Sequence, residues 1–122
     1  MDNNDLIIYK NSEGNIIVDA IYKDETLWLT QKGMSKVFDV QVPDISNVPA
    51  ISKHLTNIYD EEELIKNSTI SKMEIVQQEG NRQVKRLVDT YNLDAIIAVG
   101  YRVNSKKATE FRIWATKILK EY

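Results

Sequence analysis

The stretch Met73-Glu-Ile-Val-Gln-Gln-Glu-Gly-Asn-Arg-Gln-Val-Lys-Arg-Leu-Val-Asp-Thr90 carries the strongest local folding signal in the second half of the chain. Its centre, Glu79-Gly80-Asn81, has turn-forming residues, because Gly and Asn tolerate the positive φ angles of tight hairpin turns. On the return side, valines alternate with polar residues, as in a strand with one buried face. The segment predicts a β-hairpin with strands near 73–78 and 82–90.

Two amphipathic helices are predicted after this hairpin. Asn92 can cap the first and Ser105 the second, because both side chains can accept hydrogen bonds from amide groups at a helix start. Apolar residues follow at spacings of three and four, namely Leu93, Ile96, Ile97, Gly100 and Tyr101 in the first helix and Ala108, Phe111, Ala115, Ile118, Leu119 and Tyr122 in the second. We expect the two helices to pack together as the main support of the core.

Three short strands and two further helices are predicted before the hairpin. β-Branched and alternating apolar residues predict a meander with strands near 6–9, 16–22 and 27–30. Thr30 can then cap a short helix over about 31–38. A second helix is expected over 48–59, with Pro49 tolerated in its first turn. The link between the helices contains Pro43 and is long for such a connection.

Length and composition predict a single globular domain over 1–122. The chain has 122 residues, of which 43% are hydrophobic, which suffices for a core without disulfides or metals. It contains no cysteine, which excludes disulfides, thiolate zinc sites and cysteine nucleophiles and is compatible with a reducing cytosol. The acidic start Met1-Asp-Asn-Asn-Asp5 is unlike a signal peptide, and no apolar run approaches membrane-spanning length. We therefore expect a cytoplasmic protein with no membrane partner.

The charges are distributed unevenly along the chain. Residues 1–65 have five Lys and twelve acidic residues, a net charge of −7, whereas residues 66–122 have eleven Lys and Arg and six acidic residues, a net charge of +5. The net charge of the whole chain, −2, argues against a protein that binds nucleic acid through its overall charge. The basic second half nevertheless suits a polyanionic partner.

The predicted second helix has two different faces. Ile51, Leu55, Ile58 and Tyr59 share one face, and the opposite face carries Ser52, Lys53, Thr56 and Asn57. These polar residue types can read base edges or hold phosphates, and Asn can pair bidentately with adenine. The alternative is a solvated helix face.

Two further features extend this candidate DNA-binding set. His54 lies at the border of the apolar face, where it can pack and hydrogen-bond or contact a phosphate or base. It is the only histidine, so no zinc site is expected. Arg82, Lys85 and Arg86 follow the hairpin turn, but strand alternation puts Lys85 on the opposite face from the two arginines. They can contact phosphates or form a charged, solvated hairpin.

The sequence offers little for catalysis. It has no glycine-rich phosphate loop, no nucleophile elbow and no histidine and carboxylate at a recognisable spacing. We expect no enzyme activity and no cofactor. The lysines of the last helix, Lys106, Lys117 and Lys120, are expected on its exposed side. Four aromatic residues are expected in the core, although Trp114 lies off the main apolar stripe and can instead meet a partner chain; they are Trp28, Phe111, Trp114 and Tyr122.

The stretch Tyr91-Asn-Leu-Asp-Ala-Ile-Ile-Ala-Val-Gly-Tyr-Arg-Val-Asn-Ser105 resembles the virulence protein RhuM family of bacteria. The resemblance continues through Phe111-Arg-Ile-Trp-Ala-Thr116 and Leu119-Lys-Glu-Tyr122. In the first half it is carried by shorter pieces, including Trp28-Leu-Thr-Gln31 and Ile51-Ser-Lys-His-Leu55. It therefore extends over nearly the whole chain.

This resemblance implies a mixed α+β, winged helix-turn-helix domain that binds double-stranded DNA. A β-meander would precede a helix-turn-helix unit, the hairpin would be the wing, and two packed helices would follow. Residues 48–59 would enter the major groove of a transcriptional or phage-related regulator, with dimerisation strengthening binding. Family members are generally longer, so the chain is expected to be an N-terminal fragment. The link 40–47 is longer than usual in the family. It is therefore open whether the two helices have the angle of a helix-turn-helix unit.

A different class of function remains open at this point. A protein-interaction module could use the acidic first half or Trp114 to bind a basic or apolar partner. A third possibility is an adaptor for a downstream effector or toxin-like domain. The net negative charge of the chain favours the protein-interaction module, whereas the polar face of the second helix favours DNA binding.

Overall fold

A computed structural model of the chain describes residues 5–40 and 51–122. Within these residues the elements, in chain order, are β1 (Asp5–Lys10), β2 (Ile16–Lys23), β3 (Thr26–Leu29), α1 (Gln31–Phe38), α2 (Ile51–Asp60), α3 (Lys66–Thr69), β4 (Ile70–Glu79), β5 (Arg82–Asn92), α4 (Leu93–Val103) and α5 (Ser105–Glu121). The mixed α+β class is as predicted, and α3 was not predicted. Positions 41–50, which hold most of the predicted link and the predicted start of the second helix, lie outside the described residues.

The described strands form one antiparallel sheet in the order β1-β2-β3-β5-β4. The predicted meander and hairpin are both present, and the hairpin strands are longer than predicted. The meander and the hairpin join where β3 pairs with β5, with Trp28 opposite Asn92 and Leu29 opposite Tyr91. Because β3 is short and the hairpin long, β4 and β5 continue past the end of β3 toward the hairpin tip.

One face of the sheet is covered by helices and holds the main core. Leu27, Leu29 and Tyr91 point into it from the sheet and belong to the same buried cluster as Phe38 and Phe111. The predicted packing of α4 against α5 is confirmed, with Ile96, Val99 and Phe111 fully buried. The opposite face has a small buried cluster of its own, formed by Ile21, Trp28 and Met73.

The helix caps agree with the sequence in two cases out of three. Thr30 accepts a hydrogen bond from the Gly33 amide at 3.0 Å, and Asn92 accepts one from the Ala95 amide at 3.1 Å. The prediction that Ser105 caps α5 is wrong by one position. Asn104 accepts the hydrogen bond from the Lys107 amide at 3.2 Å, because its backbone is the last that is not helical.

Candidate nucleic-acid interface

Helix α2 is fixed to the core by its apolar face. Ile51, Leu55 and Ile58 are almost completely buried, which confirms the predicted phase of the helix. Tyr59, also predicted on this face, is half-buried, and its hydroxyl shares a hydrogen bond of 2.8 Å with the hydroxyl of Thr69. The position and rotation of α2 are therefore set by packing.

The opposite side of α2 carries the predicted polar residues. Lys53 and Thr56 are exposed, whereas Ser52 and Asn57 are half-buried. The Thr56 hydroxyl donates to the Ser52 carbonyl at 3.0 Å, so its hydrogen is engaged within the helix and its oxygen is left to accept. This side of α2 thus offers an ammonium, an amide and a hydroxyl oxygen.

A groove of about 380 Å³ runs between α2 and the base of the β4–β5 hairpin. Two lysines that the sequence did not single out, Lys66 of α3 and Lys72 of β4, line it together with Ser52 and Thr56. Lys72 is paired with Asp89 across the hairpin, with 3.0 Å between Nζ and Oδ1. The remaining residues of the lining are Gln31, Leu55, Tyr59, Asp60, Ile70, Asp89 and Tyr91.

The three basic residues of β5 do not share one surface. The strand runs unbroken through Arg82–Asn92, so alternation puts Lys85 on the same face as the buried Tyr91. That face is the one that α2 borders. Arg82 and Arg86 lie on the other face, and Arg82 is opposite Glu79 at the hairpin tip.

Acidic neighbours neutralise part of the charge of this hairpin. Arg86 is held by Glu79 at 2.7 Å, and Lys85 lies 3.8 Å from a carboxylate oxygen of Glu74. Among the described residues, no acidic group is within ion-pair distance of Arg82. Residues 70–92 contain four basic and three acidic residues, so the hairpin has a net charge of +1.

His54 lies at the border of the apolar face of α2, as predicted, and is half-buried. Burial lowers the pKa of its imidazole below the usual value, and the positive charges of Arg102 and Lys53 lower the pKa further. The imidazole is therefore mainly neutral at pH 7. In this state it can contact a ligand as a hydrogen-bonding group.

The acidic run after α2 connects α2 to α4. The Arg102 guanidinium lies 3.0 Å from Glu61 and 2.9 Å from Glu63. The carboxylates are exposed, so we expect each pair to contribute little stability by itself. Together they link the end of α2 to α4, on which α2 also packs.

The aromatic residues and the lysines of α5 are largely as predicted. Lys106, Lys117 and Lys120 are exposed. Trp114 is half-buried against the ring of Tyr9, with 4.8 Å between ring centroids, so part of its surface is already used within the chain. The prediction that Tyr122 is a core residue is wrong. It is 58% exposed at the end of α5, where its ring contacts Tyr22 of β2.

The comparisons with known proteins concern the second half of the chain. Within the described residues, no helix is long and apolar enough to cross a membrane. The model of the virulence protein RhuM family matches residues 68–122, which contain β4, β5, α4, α5 and the stretch from Tyr91 to Ser105. No curated protein and no solved structure matches the chain. The C-terminal part of the chain, residues 68–122, is therefore similar to the virulence protein RhuM family.

Proposed function

We propose that this chain is a non-enzymatic DNA-binding module in which α2 enters the major groove. The observation that carries the proposal is the orientation of α2. Three buried apolar residues fix the helix to the core, and Lys53, Thr56 and Asn57 lie on its outer side. The major groove admits an α-helix, and Asn can pair bidentately with adenine there. Lys53 would contact a phosphate or a base edge.

The hairpin beside α2 supports a winged-helix-like arrangement. In such a domain one helix reads the groove and an adjacent hairpin lies on the backbone of the duplex. Here α1 and α2 are in contact, and β4 and β5 project past the end of β3. We therefore assign α2 the recognition role and the hairpin the role of the wing.

Phosphate contacts would come mainly from lysines on the α2 side of the hairpin. Lys66 and Lys72 line the groove beside α2, and Lys85 shares the face of Lys72. Lys66 is the main candidate, because among the described residues it forms no ion pair, whereas Lys72 is paired with Asp89 and Lys85 lies near Glu74. Such contacts position the protein and give affinity that is independent of sequence and sensitive to salt. Arg82 remains a candidate phosphate contact at the hairpin tip, whereas the Arg86 guanidinium is occupied by Glu79.

Binding of a fluorescently labelled random-sequence duplex, followed by anisotropy at low salt, tests this proposal. Lys53→Ala should weaken binding, because it removes a cation from the proposed contact surface. Lys117→Ala is the matched control, since Lys117 is also exposed but lies on α5. The proposal fails if the chain does not bind the duplex, or if Lys117→Ala weakens binding and Lys53→Ala does not.

The proposal includes a role for the DNA binding. The module would act in transcriptional or phage-related regulation. The second candidate, a protein-interaction module, is favoured by two exposed apolar residues on the hairpin, Val76 at 56% and Leu87 at 68% exposure. Absence of DNA binding at low salt would make it the preferred function.

A further inference from the structure

Strand β4 is an open edge of the sheet. It pairs with β5 over all ten of its residues, and no described strand pairs with its other side. An edge strand presents unpaired backbone donors and acceptors to any further strand. β4 contains no proline that would block such pairing.

The side chains of β4 are complementary to those of a second, antiparallel copy of the same strand. In a two-fold arrangement centred on Met73, Lys72 lies opposite Glu74 of the second copy, and this pair occurs twice. Ile70 then lies opposite Val76, and Ser71 opposite Ile75. Directly opposed residues in antiparallel strands share a face, so opposite charges and apolar side chains meet.

The neighbouring two-fold registers lack this complementarity. Centring the pair on Lys72 brings the two copies of Lys72 together, and centring it on Glu74 brings the two glutamates together. Like charges directly opposite one another destabilise a strand pair. Centring on Ile75 leaves Glu74 opposite Val76. Of these registers, the one centred on Met73 is the only one that pairs the charges.

We propose that two copies of this chain associate through β4, in the register centred on Met73. The two five-stranded sheets become one continuous antiparallel sheet, and Val76 is covered by Ile70 of the second copy. The two-fold axis is perpendicular to the sheet, so the helix-covered faces lie on the same side. Both copies of α2 would then face one side of the dimer, although the dimer itself does not depend on DNA binding.

Sedimentation equilibrium of the full chain, without DNA, tests the association. We expect a concentration-dependent monomer–dimer equilibrium. Glu74→Lys puts lysine opposite Lys72 at both symmetric positions and should raise the dimer dissociation constant on the order of tenfold. Lys72→Glu should do the same. Mixing these two variants should give a heterodimer, because a strand with two lysines then meets a strand with two glutamates.

Two controls make this result specific. Lys106→Glu is the same kind of charge reversal on the exposed side of α5 and should leave the equilibrium unchanged. The double variant Lys72→Glu with Glu74→Lys keeps the composition and restores the pairing, so it should dimerise like the parent. Circular dichroism shows whether each variant is folded. If one of the two single variants is not folded, the other single variant decides.

Disulfide formation tests the register. The chain has no cysteine, so Met73→Cys introduces the only thiol. Directly opposed residues have Cα atoms about 4.5–5.5 Å apart, which a disulfide can span. Oxidised Met73→Cys should give a covalent dimer, and Ile75→Cys should not. The proposal is overturned if the parent chain is monomeric, or if Glu74→Lys leaves the dimer unchanged. It is also overturned if Ile75→Cys crosslinks in preference to Met73→Cys.

Discussion

Arg86 on β5 donates two hydrogen bonds to the carboxylate of Glu79, at 2.9 Å from Nε and 2.7 Å from Nη2. The pair spans the hairpin on the face away from α2. The guanidinium also lowers the pKa of the Glu79 carboxyl group, mainly through these hydrogen bonds. Arg86 is thus occupied within the hairpin, whereas Lys66 lines the groove beside α2.

Lys66 and Arg86 are therefore expected to contribute differently to DNA binding. Lys66→Ala should weaken binding to every duplex alike and make the slope of log affinity against log salt shallower by roughly 0.9, because one phosphate contact is lost. Arg86→Ala should leave affinity and slope unchanged. Anisotropy titrations at several salt concentrations measure both. The reverse result would mean that the duplex lies over the other face of the hairpin.

Gly100 is required by the close approach of α4 to two neighbours. A Cβ atom at this position would lie 2.6 Å from Phe38 Cζ and 2.7 Å from Ala108 Cβ. Gly100→Ala should therefore destabilise the protein by roughly 1–3 kcal/mol through overpacking. Gly33→Ala is the matched control, since the atoms nearest to its Cβ would be side-chain atoms of Leu29 and Thr30, none closer than 3.3 Å. Urea unfolding should show a clearly smaller loss for Gly33→Ala, and equal losses would contradict the packing.

Phe111 is the anchor of α5 in the core. It is fully buried, and its ring contacts Tyr9 edge-on at 4.9 Å between centroids. Phe111→Ala should lower the free energy of unfolding by about 3–5 kcal/mol. Ile113→Ala, two positions away and 58% exposed, should change it by less than about 0.5 kcal/mol. A thermal melt that Phe111→Ala leaves unchanged would show that the rotation of α5 is wrong.

His54 should make the stability of the fold depend on pH. Its pKa in the folded chain lies below the usual value, first because of burial and then because of Arg102 and Lys53. The unfolded chain therefore binds a proton more readily. This contribution is complete above about pH 6.5 and is lost as the pH falls from there toward the lower folded pKa.

Urea unfolding at pH 7.5 and at a pH just below the usual histidine pKa should show this loss in the parent and a smaller one in His54→Gln. Because His54 is the only histidine, its imidazole signals in a proton NMR titration give the folded pKa directly. A midpoint at or above the usual value would contradict the assigned environment.

The elements with strong local signals could be predicted from the sequence. The hairpin turn is one, since Gly80 has the positive φ of +64° that its turn chemistry implies. The cap of α1 by Thr30 and the apolar faces of α2 and α5 are others. In each case, residues close in the chain determine the structure.

The features that could not be predicted depend on contacts between distant residues. Leu29 and Tyr91 pair across the junction of meander and hairpin, and nothing near either residue indicates its partner. Lys66 and Lys72 reach the groove beside α2 because α3 and β4 fold back toward it, so their role has no local pattern. Asn104 and Ser105 are both good caps, and the sequence does not choose between them.

The central claim is that α2 reads base sequence, and Asn57 tests it most directly. A preferred duplex is first selected from a random pool, and the affinities of the chain for that duplex and a scrambled one are compared. Asn57→Ala should reduce the preference by about 1–3 kcal/mol and relax it at one or two base pairs. Lys66→Ala, which removes only a proposed phosphate contact, should weaken both complexes alike. If no duplex is selected, or if Asn57→Ala keeps the full preference of the parent, then α2 is not the recognition helix.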